Sequence, residues 1–97
     1  MFNITFAEAT REHIKFLSAG QRAKSLGVIE RQLSHQPQRE SRNQKLLRPN
    51  PLAPWELRVG NIRIFYEVIE DQSLVRILAI GCKIRDKLWI AGEKIEI

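Results

Sequence analysis

Residues 55–68 read WELRVGNIRIFYEV, two alternating segments joined by a turn. Apolar and polar side chains alternate along Trp55–Val59 and again along Ile62–Ile69, a pattern typical of strands that bury one face. The Gly-Asn pair between the two segments is a strong turn signal. The stretch therefore predicts a β-hairpin, and its pleat predicts that Arg58 and Arg63 share the face turned away from the apolar residues.

Three further segments are predicted to be strands. Ile4–Phe6 is a short opening strand, and Leu74–Ile80 is a near-continuous apolar run, which indicates a central strand covered on at least one face. Lys87–Ile90 is another short strand, which ends before Gly92. Together with the hairpin, these segments give the sheet four or five strands.

Two helices are predicted between the opening strand and the hairpin. The first spans Glu8 to about Ser18, begins at a weak capping box over Thr5–Glu8 and ends at Ala19-Gly20, because Gly commonly follows a helix C-terminus. The second spans about Gln21–Ser34 and ends before Pro37. Its apolar stripe consists of Leu26, Ile29 and Leu33. The tight joint between the helices predicts an αα-hairpin.

The order of these elements predicts an α+β fold. It comprises an N-terminal strand and an α-helical hairpin packed on a mainly antiparallel sheet of four or five strands, within one domain of residues 1–97. We expect the apolar side chains of the β-hairpin to face the helices, so that Glu56 and Phe65 join the two arginines on a free face. Residues 35–54 are polar, basic and marked by prolines, which predicts a long connector whose length suggests a function.

The composition excludes several classes of protein. The chain has 97 residues, too few for a TIM barrel or a two-half Rossmann fold, and it lacks an apolar run long enough to cross a membrane. No basic leader precedes an apolar run at the start, so no signal peptide is expected and the predicted location is the cytoplasm. Cys82, His13 and His35 are too few for a metal centre and are interpreted as structural or solvated, so neither a metal nor a cofactor is predicted.

The net charge of +5 lies in one half of the chain. Residues 1–50 hold nine basic and four acidic side chains, whereas residues 51–97 hold seven of each. Such an excess attracts polyanions or acidic partners. The charge therefore favours RNA or an acidic protein segment as a ligand.

Basic side chains from three regions are predicted to surround one concave site. They are Arg39, Arg42, Lys45 and Arg48 in the connector, Arg58 and Arg63 on the hairpin, and Lys83, Arg85 and Lys87 after the central strand. Arginine binds phosphate through two parallel N–H donors, and the rings of Phe65 and Trp89 can stack on bases of single-stranded RNA. The same charges also fit a solvated surface or a groove for an acidic protein segment.

Three stretches of the sequence resemble the RelE/ParE superfamily of toxins from type II toxin–antitoxin systems. They are residues 54–68, the preceding Arg42–Lys45 and the later Ile80–Lys83, and the resemblance as a whole extends from about Ile4 to Gly92. The resemblance implies a small α+β toxin, neutralised by a cognate antitoxin that wraps around it, in a system of the kind that stabilises plasmids.

The resemblance also implies a reaction. RelE-like toxins cut mRNA in the ribosomal A site without a metal, using basic residues on the sheet and near the C-terminus. By this likeness Arg63 holds the scissile phosphate, and Lys83 and Arg85 serve as general acid or charge stabiliser. The RNA-binding residues of this hypothesis are Arg42, Lys45, Arg48, Arg58, Phe65 and Trp89.

Three departures from the ribonuclease pattern keep other functions open. Trp89 stands near the position of the catalytic tyrosine of RelE-like enzymes, and an indole cannot usefully exchange a proton. Glu56 stands where those enzymes tend to carry a basic residue, and residues 87–97 are strand-like rather than helical. The alternatives are a ParE-like toxin that acts on DNA gyrase without catalysis and an inactive relative that still binds an antitoxin.

Overall fold

A seven-stranded sheet with helices against one face forms the fold, and the computed structural model describes all of residues 1–97. The strands are β1 (Asn3–Phe6), β2 (Gln44–Leu46), β3 (Trp55–Val59), β4 (Ile62–Ile69), β5 (Leu74–Ile84), β6 (Lys87–Ile90) and β7 (Glu93–Ile95). Strands β2 to β7 follow one another antiparallel, and β1 pairs in parallel with the first part of β5. The α+β class and the mainly antiparallel sheet are confirmed, with seven strands instead of four or five.

The helices differ from the predicted pair of similar length. α1 spans only Thr10–Ile14, whereas α2 spans Ala19–Val28 and continues through a π-helical turn over Ile29–Leu33. In the stripe predicted for the second helix, Leu26 is 42% exposed, while the other two members are buried. No helix of the chain is long and apolar enough to cross a membrane.

A capping box at Ser18 decides where α2 begins. The Ser18 hydroxyl accepts a hydrogen bond from the Gln21 amide at 3.1 Å, and the Ser18 amide donates to the Gln21 side chain at 2.9 Å. Two amides that a helix start leaves unpaired are thereby satisfied. The prediction that Ala19-Gly20 ends a helix is therefore wrong, since these residues open one. The capping box predicted over Thr5–Glu8 is also wrong, because that segment contains the end of β1.

The pleat of β3 and β4 divides the apolar side chains as predicted. The helix side of the sheet holds the main core, made of Leu17, Ile29, Leu33, Trp55, Leu57, Val59, Ile62, Ile64, Tyr66, Val75, Ile77 and Ile80. The opposite face carries a second, smaller core of Ala53, Phe65, Ala79, Leu88 and Ile90. The expected free face is thus partly covered, and its charged side chains occupy only the remainder.

A β-bulge in β5 allows this strand to serve both cores. The pairing with β4 skips Leu78, because Phe65 lies opposite Ala79. The next residue of β4, Tyr66, lies opposite Ile77. An extra residue reverses the alternation of a strand. The near-continuous apolar run that predicted a central strand therefore reflects a strand whose side chains are buried on both faces.

His13 supplies an acceptor for a backbone amide of β5. Ile80 lies between the part of β5 that pairs with β1 and the part that pairs with β6, and its amide donates to His13 Nδ1 at 3.2 Å. Burial lowers the pKa of His13, which favours the neutral imidazole that this bond requires. The interpretation of His13 as a structural residue is confirmed.

The connector over residues 35–54 is ordered and contains β2, which sequence analysis missed. The buried Tyr66 hydroxyl donates to the Pro37 carbonyl at 2.7 Å. The Gln44 side chain donates to the Gln36 carbonyl at 2.9 Å. These bonds fix the connector to the sheet, and they bring Lys45 into a strand.

The C-terminal part is a meander of three strands. β5 extends beyond its predicted end at Ile80 to Ile84. Two turns with positive φ follow, Arg85-Asp86 (50° and 66°) and Ala91-Gly92 (51° and 79°). β7 (Glu93–Ile95) lies within the segment that was predicted to be strand-like. These short turns fold the last strands back beside the charged part of the sheet.

Candidate functional site

A charged cleft of about 250 Å³ opens between the sheet and its C-terminal strands. Arg63 and Lys83, two of the three predicted catalytic residues, both line it. Its charged side chains are Arg63, Lys83, Lys87 and Lys94 together with Glu56, Asp86 and Glu96. The cleft therefore has a slight excess of cations and is less basic than the sequence suggested.

The hairpin turn between β3 and β4 holds Arg63 in the cleft. Its Nη1 donates to the carbonyl of Gly60 at 2.8 Å and to that of Ile62 at 3.1 Å, while its Nε is buried without a partner. Burial lowers the pKa of Arg63, whereas the nearby charge of Glu56 raises it and that of Arg58 lowers it again. Arginine remains protonated in proteins, so the group is a fixed cation with Nη2 uncommitted.

β3 places a second arginine and an acid beside Arg63. Arg58 lies directly opposite Arg63 in the sheet, and like charges in that position are destabilising. Glu56, two residues earlier on the same face, accepts a hydrogen bond from Arg58 Nε at 2.7 Å. Its side chain is only 9% exposed. The carboxylate therefore offsets the repulsion between the two arginines.

Lys83 reaches the cleft because β5 continues past its predicted end. Its backbone amide donates to the Asn61 carbonyl at 2.7 Å, which ties β5 to the turn that holds Arg63. The Lys83 side chain is exposed. Two residues far apart in the sequence thus meet at one end of the sheet.

Gly81 sets how closely β5 and β6 approach next to the cleft. It lies opposite Arg63 in β4. A Cβ at this position would overlap the Trp89 carbonyl and lie 2.7 Å from Ile90 Cγ1. Only glycine fits here without displacing the neighbouring backbone.

The connector cations lie around the cleft rather than in it. Lys45 is in β2 opposite Glu56, so it shares the charged face. Arg42 and Arg48 are exposed in the loops on either side of β2 and do not line the cleft. Of the predicted RNA-binding cations, Lys45 and Arg58 are on the charged face.

Arg85 does not line the cleft with Lys83. The prediction that Arg85 surrounds one site together with Lys83 and Lys87 is wrong, because Arg85 and Asp86 form the turn of the β5–β6 hairpin. A turn interrupts the alternation that would have placed Arg85 beside Lys83. Arg85 is instead an exposed residue at the tip of the hairpin.

The two aromatic residues predicted to stack on RNA lie elsewhere. Phe65 has no exposed surface and forms part of the second core. The structure therefore contradicts a stacking role for Phe65. Trp89 is half-buried on the helix side of the sheet, where it lines a separate pocket of about 240 Å³ with Phe16 and Ile84.

Cys82 lies on the helix side of β5, packed against the main core. Burial raises the pKa of the Cys82 thiol, and the charge of Arg63 lowers it. This half-buried thiol matches the structural interpretation. No group of three or more His, Cys, Asp or Glu side chains gathers into a cluster that could hold a metal ion.

Four charged residues of the cleft had no predicted role in the site: Glu56, Asp86, Lys94 and Glu96. Lys94 was overlooked although residues 87–97 were predicted to be strand-like, because the path of the chain through the turns at Arg85-Asp86 and Ala91-Gly92 was not predicted. Glu56 was placed on the correct face without a role. The spacing of Glu56 and Arg58, two apart on one strand, was the available signal for their ion pair.

The comparisons with known proteins bear on the fold. Neither a protein-family model nor a curated protein matches the chain. A chain in the crystal structure of the toxin–antitoxin complex RelBE2 from Mycobacterium tuberculosis matches with a TM-score of 0.68 and 22% identity, over 84% of this chain and 96% of that chain. The likeness confirms the RelE/ParE-like fold that residues 54–68 indicated: the chain has the fold seen in the RelBE2 toxin–antitoxin complex.

Proposed function

We propose that the chain is the toxin of a type II toxin–antitoxin system and that it inhibits translation by cleaving mRNA on the ribosome in the cytoplasm. One observation carries the proposal. Arg63 and Lys83 line one cleft, within a fold shared with a chain of a toxin–antitoxin complex. Two cations in one cleft can serve two of the tasks of phosphodiester cleavage, one binding the phosphate and one donating a proton to the leaving oxygen.

Cleavage through the ribose 2′-hydroxyl gives each cation a task. O2′ attacks the adjacent phosphorus, negative charge grows on the phosphoryl oxygens, and O5′ leaves. The Arg63 guanidinium, held by two carbonyls of the turn, binds those oxygens through its uncommitted Nη2. Lys83 donates the proton that O5′ needs as it leaves.

The other cations bind the RNA backbone on either side of the scissile bond. Arg58 and Lys45 lie on the charged face next to the cleft. Arg42, Arg48 and Arg85 are exposed outside the cleft and contact phosphates further along the strand. Such contacts contribute affinity and depend on salt, whereas Arg63 and Lys83 contribute rate.

A cognate antitoxin is the expected protein partner. Residues 1–50 carry nine basic and four acidic side chains, which suits an acidic segment. Co-purification with the product of a small acidic neighbouring gene tests this partner. A complex that forms and abolishes growth arrest supports it, whereas free coexistence of the two proteins contradicts it.

A second candidate is a toxin that binds a protein target such as DNA gyrase. Its support is an apolar surface on the helix side, where Phe16 is 59% exposed and Ile84 is 51% exposed beside the half-buried Trp89. Exposed aromatic and aliphatic residues that surround a pocket are typical of protein interfaces. This surface lies away from the charged cleft.

Expression in growing cells followed by primer extension on mRNA tests the first candidate. We expect growth arrest with new 5′ ends inside translated messages. Growth arrest without new ends contradicts cleavage, and inhibited DNA supercoiling in the same cells supports the second candidate. Soluble expression without growth arrest contradicts both.

A further inference from the structure

Glu56 is the buried member of the three acids in a cleft that also holds four cations. Its residue is 7% exposed, and its neighbours on the same face include Arg58 and, on the next strand, Arg63. Phosphodiester cleavage needs a base for the 2′-hydroxyl as well as cations for the phosphate. Neither Arg63 nor Lys83 serves as that base while each carries its proton.

The structure orients the Glu56 carboxylate and leaves part of it free. Oε1 accepts the hydrogen bond from Arg58 Nε at 2.7 Å. Oε2 has no hydrogen-bond partner in the chain. The fully buried side-chain atoms without a partner are Ser25 Oγ and Arg63 Nε, so Oε2 retains some exposed surface. Oε2 is therefore open to the cleft, while the bond at Oε1 limits how the carboxylate can rotate.

Four other proton acceptors of the chain are poorly placed for the same task. His13 uses Nδ1 to accept from Ile80 on the helix side of the sheet. The Tyr66 hydroxyl is buried against the Pro37 carbonyl. In the cleft, the other two acids belong to exposed segments, Asp86 to a turn and Glu96 to the tail with a side chain that is 86% exposed.

We propose that Glu56 is the general base of the reaction, an inference that rests on the proposed RNA cleavage. Glu56 Oε2 takes the proton of the 2′-hydroxyl as O2′ forms its bond to phosphorus. The bond from phosphorus to O5′ breaks, and O5′ takes a proton from Lys83. The products are a 2′,3′-cyclic phosphate and a 5′-hydroxyl, with one proton accepted and one donated. Arg58 is a positioning residue that holds the base.

Two substitutions separate catalysis from structure. Glu56→Gln keeps the size of the side chain and an oxygen that can accept from Arg58, but its amide cannot act as a base. Glu56→Ala removes the group and leaves room for a small acid. Glu67→Gln, in β4 but outside the cleft, is the matched control.

The assay uses purified full-length protein, ribosomes carrying a defined mRNA, and single-turnover conditions. We expect Glu56→Gln to lower the cleavage rate about 10²–10⁴-fold, the usual contribution of a general base. Its affinity for the ribosome–mRNA complex stays equal or increases, because a negative charge beside phosphate is lost. Glu67→Gln keeps the wild-type rate. The rate of Glu56→Gln also rises more steeply with pH than that of the wild type, because hydroxide replaces the missing base.

Added formate provides a readout that a purely structural role would not move. We expect formate to restore part of the lost rate in Glu56→Ala and to leave Arg63→Ala unchanged. If either Glu56 variant does not fold, as judged by circular dichroism, Glu56→Asp takes its place. That variant keeps a carboxylate and should cleave slowly with an unchanged dependence on pH.

The outcomes separate the two proposals. Cleavage by the wild type with an undiminished rate in Glu56→Gln overturns the role of Glu56 and leaves the ribonuclease proposal intact. A reduced rate without rescue by formate and without a steeper pH dependence also overturns it, since Glu56 then acts only on structure. An absence of cleavage by the wild type overturns both.

Discussion

The side chains of each strand alternate between the two faces of the sheet, and the two faces are covered to different extents. On the helix side, twelve buried residues form a continuous core under α2 and its π-helical turn. On the other side, five buried residues centred on Phe65 cover only part of the sheet, and the uncovered part holds the charged cleft. The helix side therefore supplies most of the stability, and the partial cover opposite leaves the charges accessible to a ligand.

This difference shows why charges can gather next to a core in so small a chain. Phe65 closes the second core, two residues along β4 from Arg63. Burial next to a core fixes the arginine, and Glu56 makes that burial tolerable by offsetting the charge of Arg58. A fully solvated face would leave these side chains free to move, and a fully covered one would exclude any ligand.

The largest expected effect is the loss of stability on replacing Phe65 by Ala. Because Phe65 is fully buried, Phe65→Ala should lower the free energy of unfolding by about 3–5 kcal/mol. Urea denaturation measures it. Phe16→Ala, at a residue that is 59% exposed, is the control and should cost less than about 1 kcal/mol. If Phe65→Ala kept the wild-type stability but bound RNA more weakly, Phe65 would stack on RNA rather than stabilise a second core.

A smaller effect is expected where β5 and β6 approach each other. Gly81→Ala places a Cβ against the backbone of Trp89 and should cost about 1–3 kcal/mol, the usual range for overpacking. Gly20→Ala in α2 is the control, since nothing lies within 4 Å of the added Cβ. That change should stabilise the chain by about 0.5–1 kcal/mol. Equal melting temperatures for the two variants would contradict the close approach of β5 and β6 beside the cleft.

The bond between His13 and Ile80 should make the helix side sensitive to acid. The folded chain holds the pKa of His13 below its ordinary value of 6.5, so the unfolded state binds the proton more readily. The stabilising contribution of His13 is therefore complete above about pH 6.5 and is lost as the pH falls below it. Urea midpoints at several pH values should show the advantage of wild type over His13→Gln shrinking towards acid. A difference in urea midpoint that stays constant with pH would contradict the role of neutral His13 as a hydrogen-bond acceptor.

The smallest expected effect lies at the start of α2. Ser18→Ala removes one half of the capping box and should cost about 1 kcal/mol. Ser41→Ala is a comparison in the connector, where the hydroxyl accepts from the amides of Asn43 and Gln44 outside any helix. Because the helix packs on the face of the sheet opposite the cleft, the RNA cleavage rate should not change. A change in that rate would show that the helix side also shapes the site.

Residues 55–69 allowed most of the fold to be predicted because the alternation there is strict and one face is apolar. The strands β3 and β4 have the predicted bounds, and the faces of Leu57 and Ile64 are as expected. The errors lie where two signals compete. Gly20 was taken as a stop signal, but the hydrogen bonds of Ser18 favour a start at the same place. β2 has three residues, too few for a periodic pattern.

The site was harder to predict than the fold, because it depends on the turn at Arg85-Asp86 and on how much of the charged face the second core covers. The alternation correctly placed Arg58 and Arg63 on one face. The turn at Arg85 broke the alternation after Lys83, and residues with positive φ there carry no glycine to mark it. The alternation along β4 places Phe65 on the charged face, but it does not show whether the ring is buried in a second core or exposed to solvent.

The central claim is that the cleft around Arg63 cuts RNA, and the cleavage rate of Arg63→Ala tests it most directly. Wild type, Arg63→Ala and Arg76→Ala are compared on ribosomes carrying one mRNA; Arg76 is an exposed arginine of β5 outside the cleft. Loss of a charge-stabilising donor should slow Arg63→Ala by about 10²–10³-fold, while Arg76→Ala should keep the wild-type rate. Equal cleavage by all three proteins would contradict the account.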